Sequence, residues 1–193
     1  MLRLAPLSKR PLKILNFDTE TRKVGFISGG NWGPDGCEII ALACSWVGSK
    51  KVEVWLQGYE TLPEILEHFV ARYNEADVVS GHYIRKFDLP IVNGSLLERG
   101  MAPLAPKLVS DTKCDLMRKA GISASQENLA EMIGLPQGKY HMNDAMWREA
   151  NRLTEKGVEL TRKRVVSDVK QSKALRVALL EAGALGSPRI WRP

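Results

Sequence analysis

The stretch ILNFDTET, residues 14–21, joins a short apolar run to two carboxylates. The run at residues 14–17 is typical of a buried strand. Asp18 and Glu20 follow at positions i and i+2, and in an extended chain such side chains point the same way, roughly 6–7 Å apart. Both acids can therefore face one metal cluster, although a solvated pair of carboxylates at a strand end has the same pattern.

Two aspartates farther along the chain stand in segments of helical character. Asp88, in SGHYIRKFDLP, lies at a predicted helix start, where aspartate also suits a capping role. Asp168 lies inside the last predicted helix, on a face with apolar neighbours, so it needs a cation or a metal as partner. Arg164, four residues earlier, is one candidate partner. With the first two acids, these positions indicate the oxygen ligands of a two-metal phosphodiester site.

Composition restricts the class of protein. The 193 residues fit one domain with a full core, and no segment approaches the ~20 apolar residues of a membrane span. Residues 1–12 are basic but lack the apolar core of a secretory signal. Three scattered cysteines are too few for a zinc site or a disulfide framework, which indicates a reduced, cytoplasmic protein.

The positive charge is unevenly distributed. The net charge is +6, and the segment from residue 151 onward carries the whole excess, with ten basic and four acidic side chains. A basic face attracts nucleic-acid phosphates through counterion release. A solvated helix face has the same composition.

Periodicity and turn residues predict the remaining elements. Pro103 and Pro106 restrict the apolar stretch at residues 104–109 to an edge strand or a loop. Strands in the first half and helices in the second indicate a mixed α/β sheet. The predicted strands lie at residues 38–47, 51–56 and 76–80, and the predicted helices at residues 62–73, 88–97, 125–133, 143–153 and 158–182.

A glycine-rich segment follows the first acidic stretch. Residues 22–37, RKVGFISGGNWGPDGC, are typical of a long loop or hairpin tip. Its Phe26 and Trp32 could stack on bases, as aromatic side chains of single-strand binders do, or could anchor the loop on an apolar patch.

The motifs in combination resemble a known family. FDTET, GHYIRKFDLP and the Asp168-Val169 pair in a late helix look like the three motifs of the DnaQ-like, or DEDD, 3′–5′ exonucleases of the ribonuclease H-like fold. The resemblance runs from residue 13 to residue 183, between an N-terminal extension at residues 1–12 and a tail at residues 184–193. It implies an α/β domain whose mixed five-stranded sheet is flanked by helices.

The resemblance also implies roles for individual residues. Asp18, Glu20 and Asp168 would bind the first of two Mg²⁺ or Mn²⁺ ions, while Asp18 and, through water, Asp88 would reach the second. The implied activity is removal of nucleotides from DNA ends, with single-stranded 3′ ends as expected substrate and a replication, repair or proofreading role beside a polymerase. The residues expected to contact the substrate are Thr21, Phe26, Trp32 and Tyr83.

The chain departs from the family pattern at its general base. The family places a tyrosine four residues, or a histidine five residues, before the last aspartate, where this chain has Arg164 and Lys163. Arginine cannot act as a base near neutral pH, and lysine can do so only with a strongly lowered pKa. Tyr140 and His141 are substitute candidates. The loss of this base leaves a catalytically weak or inactive nucleic-acid-binding module on this fold as an alternative. An exonuclease directed at RNA is a further alternative, because the preferred sugar depends on contacts to the 2′-OH that the sequence does not show.

A second departure lies in the middle motif. Tyr83 stands where relatives commonly carry asparagine. This change alters the expected local hydrogen bonding and leaves the acidic positions untouched.

Overall fold

The computed structural model describes residues 10–24, 36–117, 121–136 and 138–193. These residues form six strands and five helices. In chain order they are β1 (Ile14–Lys23), β2 (Cys37–Trp46), β3 (Glu53–Leu56), α1 (Leu62–Glu75), β4 (Val78–Gly81), α2 (Asp88–Glu98), β5 (Lys107–Asp111), α3 (Gln126–Met132), α4 (Asp144–Asn151), α5 (Glu155–Glu181) and β6 (Arg189–Trp191).

The strands form one mixed sheet in the order β3-β2-β1-β4-β5-β6. β1 is antiparallel to β2 and parallel to β4, while β4 and β5 are parallel to each other. The predicted α/β class is confirmed, but the sheet has one strand more than the five predicted. The additional strand is β6, which comes from the predicted tail and pairs antiparallel with β5.

The position of β5 corrects one expectation. The prolines predicted an edge strand or a loop, yet β5 lies inside the sheet, between β4 and β6. Pro103 and Pro106 both precede Lys107, the first residue of the strand. The N–H groups that the ladder needs are therefore all available, and the prolines shape only the entry to the strand.

Two apolar layers cover the sheet. On one face, Phe17 of β1 packs with Phe69 of α1, at a ring-centroid distance of 4.8 Å, and with Leu89 of α2. On the other face, small residues of β2, including Ala43, contact Val165 of α5. Because alanines occupy little volume, the long helix can lie close to the strands. β1 therefore lies between a fully apolar layer and the 27-residue helix α5.

No helix in the described part of the chain combines the length and apolar character needed to cross a bilayer.

Candidate active site

One face of β1 presents a row of polar side chains to α5. Asn16, at the start of this row, donates a hydrogen bond to Ser172 of α5 over 3.2 Å. Asp18 and Glu20 follow at two-residue intervals, and the alternation of a strand keeps all three on the same side. The predicted shared direction of the two acids is thus present in the structure. The strand's register shifts immediately after Glu20.

Helix α5 supplies the third carboxylate. Val165 and Val169, both fully buried, flank Asp168 and hold its side of the helix against the sheet. As a result, one carboxylate oxygen from each of Asp18, Glu20 and Asp168 lies within 4.8 Å of the others. We call these residues the three-acid cluster.

Asp88 lies beside the three-acid cluster and is bound to β1. It is the first residue of α2, and its Oδ1 atom accepts hydrogen bonds from Thr19 N at 3.0 Å and Thr19 Oγ1 at 2.6 Å. Thr19 stands between the two acids of β1, so these bonds fix the start of α2 relative to the cluster. The N-cap position before it is taken by Phe87, which makes no side-chain capping bond, while the carboxylate of Asp88 also accepts from its own backbone N–H at the start of α2.

Burial and mutual repulsion make these acids difficult to ionise. Burial, and then the neighbouring charges of Asp88, Asp168 and Glu20, raise the pKa of Asp18 well above its ordinary value. Burial, together with the charges of Asp168 and Asp88, raises the pKa of Glu20 to about 8 against the opposing effect of nearby cations, and burial raises the pKa of Asp88 to about 6. Burial is the largest cause of each shift, and repulsion between the carboxylates adds to it at Asp18 and Glu20.

Two basic side chains enter the same region. Arg164 Nε lies 3.0 Å from Asp168 Oδ2 and 3.4 Å from Glu20 Oε1, so the predicted pairing with Asp168 is present. Lys139 Nζ lies 3.8 Å from Asp168 Oδ2. Lys139 was not predicted as a site residue, because it reaches the site from the segment between α3 and α4, whose path no periodic pattern specifies.

The candidate substitutes for the missing base lie elsewhere. Lys163 is exposed, and its Nζ lies 5.9 Å from the centre of the Tyr140 ring. His141 is exposed and lines a separate cavity beside Glu127. His82 does line the acidic cavity, and its Nδ1 lies 2.9 Å from Thr112 Oγ1. Burial lowers the pKa of His82 to about 4, so its ring is neutral at physiological pH.

The acids lie in a cavity of about 300 Å³ that continues toward a second one. The first is lined by the three-acid cluster together with Asp88, Lys139 and Arg164. The second, of about 550 Å³, shares Glu20 and Phe87 with the first and adds Thr21 and Trp147. Thr21 was predicted to contact substrate. Trp147 of α4 also lies on the wall of this cavity.

Tyr83 adopts an unusual backbone conformation at the edge of the acidic cavity. Its φ angle is +66°, in the left-handed region, and its N–H donates to Asp111 Oδ1 over 3.0 Å. Asparagine tolerates this region better than tyrosine, which gives a physical reason for the asparagine expected from the family pattern at this position. The ring lies 4.0 Å from Lys113 Nζ. The other two predicted substrate contacts, Phe26 and Trp32, lie outside the described residues.

The acidic positions suit a hard divalent cation. Carboxylate oxygens are the ligands that Mg²⁺ and Mn²⁺ accept, and the three-acid cluster brings three of them together beside Asp88. The raised pKa values of Asp18 and Glu20 point the same way, because bound positive charge would relieve the repulsion between them.

Comparison with known proteins extends the description of the fold. No protein-family model matches the chain, and no curated protein matches it. Among solved structures, the chain is similar to the family B DNA polymerase from the hyperthermophilic archaeon Pyrobaculum calidifontis, with a TM-score of 0.68 and 19% sequence identity. The match covers 89% of this chain and 25% of the polymerase, so the chain spans about a quarter of that protein. The likeness supports the predicted ribonuclease H-like α/β fold class.

Proposed function

We propose that this protein is a metal-dependent 3′–5′ exonuclease that removes nucleotides from DNA ends, with single-stranded DNA as its substrate. The observation that carries the proposal is the convergence of carboxylate oxygens from Asp18, Glu20 and Asp168 within 4.8 Å, in a cavity that Asp88 also lines. The order of the motifs and the fold likeness to a DNA polymerase support the same class of activity.

The three-acid cluster would hold Mg²⁺ or Mn²⁺, and the family resemblance implies two such ions. A bound ion supplies positive charge at the phosphate and lowers the pKa of a coordinated water. In the hydrolysis, the water oxygen forms a bond to phosphorus while the bond to the 3′ oxygen of the preceding nucleotide breaks. The water gives up a proton, and the leaving 3′ oxygen gains one.

The residues of the chain then have three tasks. The carboxylates fix the position of the ion, and the bonds from Thr19 keep Asp88 beside them. The second cavity, with the aromatic side chains of Phe87 and Trp147, offers a surface for the terminal base next to Glu20. The excess of basic side chains from residue 151 onward attracts the phosphate backbone.

A second candidate function is nucleic-acid binding without cleavage, as a subunit beside a polymerase in a replication complex. The contact of Arg164 with Asp168 and Glu20 favours it, because this residue replaces the family's base and cannot accept a proton. A positioned base typically contributes ~10²–10⁴ in rate, so its loss would slow the enzyme strongly.

Cleavage of end-labelled DNA separates the two functions. The full chain is incubated with Mn²⁺ and a single-stranded oligonucleotide carrying a label at its 5′ end. We expect a ladder of products shortened from the 3′ end, and its loss in Asp18→Ala. An RNA oligonucleotide of the same sequence, run in parallel, tests the RNA-directed alternative. Tight binding with both polymers intact would establish the binding module instead.

A further inference from the structure

Two basic side chains of the protein, Arg164 and Lys139, line the acidic cavity. Arg164 Nε contacts Asp168 at 3.0 Å and Glu20 at 3.4 Å, and its side chain is only 14% exposed. Lys139 Nζ lies 3.8 Å from Asp168, and its side chain is 18% exposed. Both cations are therefore largely withdrawn from solvent and face the acids directly.

The cation of Arg164 is tethered. Its Nη1 atom donates a hydrogen bond to the carbonyl oxygen of Tyr140 over 2.8 Å. The backbone N–H of Tyr140 in turn donates to Ser167 Oγ over 2.8 Å, which ties this segment to α5. Arg164 is thus held on two sides, by carboxylates and by a carbonyl that is itself anchored to the same helix.

One divalent ion would balance the charges of the site. With all carboxylates ionised, the three-acid cluster and Asp88 contribute four negative charges, which face Arg164 and Lys139. Lys113 also lines the cavity, and Glu127 lies 3.6 Å from Lys139 Nζ; these two further charges offset each other, so the deficit is two positive charges. A single Mg²⁺ or Mn²⁺ supplies that amount. A second ion would leave two uncompensated positive charges in a partly buried cavity, which is costly. The Oδ1 atom of Asp88 is also already occupied by both donors of Thr19.

We propose that Arg164, assisted by Lys139, is a resident cation that takes the place of the second metal ion, so that the site binds one Mg²⁺ or Mn²⁺. The proposal rests on the proposed function in one respect, that the three-acid cluster is the divalent-metal site. Because the guanidinium lines the cavity, it can donate to a phosphate oxygen there, as the second ion would otherwise do.

Counting bound Mn²⁺ tests the proposal without reference to cleavage. Isothermal titration and electron paramagnetic resonance of the full chain should give one Mn²⁺ per molecule, and none in Asp18→Asn. Arg164→Gln should bind the first ion at least about tenfold more tightly, because a like charge is removed within a few ångströms of it. The double variant Arg164→Gln with Lys139→Gln should bind a second ion.

Two further variants control for charge and folding. Lys163→Gln removes the same charge one residue earlier, on an exposed side chain, and should leave the affinity and the count of Mn²⁺ unchanged. Arg164→Lys keeps a cation and should still bind one ion.

Two results would overturn the proposal: two ions in the unaltered protein, or an affinity in Arg164→Gln equal to that in Lys163→Gln. A protein that binds two ions and degrades DNA refutes this inference alone. A protein that binds one ion and cuts neither polymer refutes the proposed exonuclease activity alone.

Discussion

Glu20 is a largely buried residue of β1 that lies next to the charged side chains of α5. Asp168 opposes ionisation of its carboxyl group, while Arg164, with Nε 3.4 Å from Oε1, favours it. The effect of burial on the pKa is larger than the effect of Arg164, because a buried carboxylate loses its hydration even when a cation lies nearby. The pKa of Glu20 therefore rises from 4.5 to about 8 in the folded protein.

This shift predicts a pH dependence of stability in the metal-free protein. Between pH 4.5 and about 8 the folded state binds a proton at Glu20 that the unfolded chain has released. Stability from this group is thus complete below pH 4.5 and is lost as the pH rises through about 8. In EDTA at pH 9, Glu20→Gln should melt roughly 5 °C above the unaltered protein. The difference should shrink at pH 4.5.

The matched control is Glu98→Gln, which removes an acid whose side chain is 76% exposed and should change the melting temperature little at either pH. A Glu20→Gln variant that melts at or below the unaltered protein at pH 9 would contradict the interpretation of the site as overcharged.

Part of the candidate site could be predicted from the sequence. The shared direction of Asp18 and Glu20 follows from strand alternation, and the need of Asp168 for a partner follows from its packing face. The bonds from Thr19 to Asp88 and the approach of Lys139 could not be predicted, because they depend on how separate elements pack. Neither involves a repeated spacing in the sequence.

Among the elements, the junction of α4 and α5 sets the position of Asp168. Thr154 caps α5, and its Oγ1 accepts a hydrogen bond from Gly157 N over 3.0 Å. Gly157 itself lies against the end of α4, where an added Cβ would stand 2.1 Å from the carbonyl oxygen of Glu149. Glycine at this position permits the close approach of the two helices.

Gly157→Ala should therefore destabilise the protein by about 2–3 kcal/mol, since the clash is with backbone and cannot be relieved by a side-chain rotation. Urea unfolding followed by circular dichroism measures the change. Gly94→Ala is the matched control: Gly94 lies within α2 and has nothing within 4 Å of its added Cβ. It should stabilise by about 0.5–1 kcal/mol, because alanine favours helix. Equal effects of both changes would contradict the close approach.

The position of a strand in the sheet cannot be predicted from local sequence patterns alone. The prolines before β5 indicated an edge, yet a strand is interior or exposed according to its neighbours, and β6 covers β5 from a segment some 80 residues later in the chain. The long final helix was predictable because its periodicity extends over many turns, with Gly183 following its end.

For the whole molecule, binding of an ion to the three-acid cluster should stabilise the fold, because it joins β1 to α5. At a Mn²⁺ concentration 100 times the dissociation constant, the gain is about 2.7 kcal/mol, which corresponds to roughly 5–10 °C in melting temperature. Differential scanning calorimetry with and without Mn²⁺ measures it. Asp168→Asn should lose the gain, and an undiminished gain in that variant would place the ion elsewhere.

The mixed α/β class was predictable from the succession of strands and helices, but the strand order was not. It depends on pairings between distant segments, such as β1 with β4 and β5 with β6. The resemblance of motifs narrowed this expectation to a ribonuclease H-like fold. Only the three-dimensional arrangement shows which basic side chains lie beside the acids.

Asn16 and Ser172 meet across 156 residues of chain, and the acids beside them are separated almost as widely. During synthesis, the N-terminal segments of a chain are made first, and a domain generally folds as a unit. A nascent polypeptide thus carries Asp18 and Glu20 without their third carboxylate until the codons for α5 have been read. Until then, the proposed nuclease has no complete metal site with which to cut the nucleic acids around the ribosome.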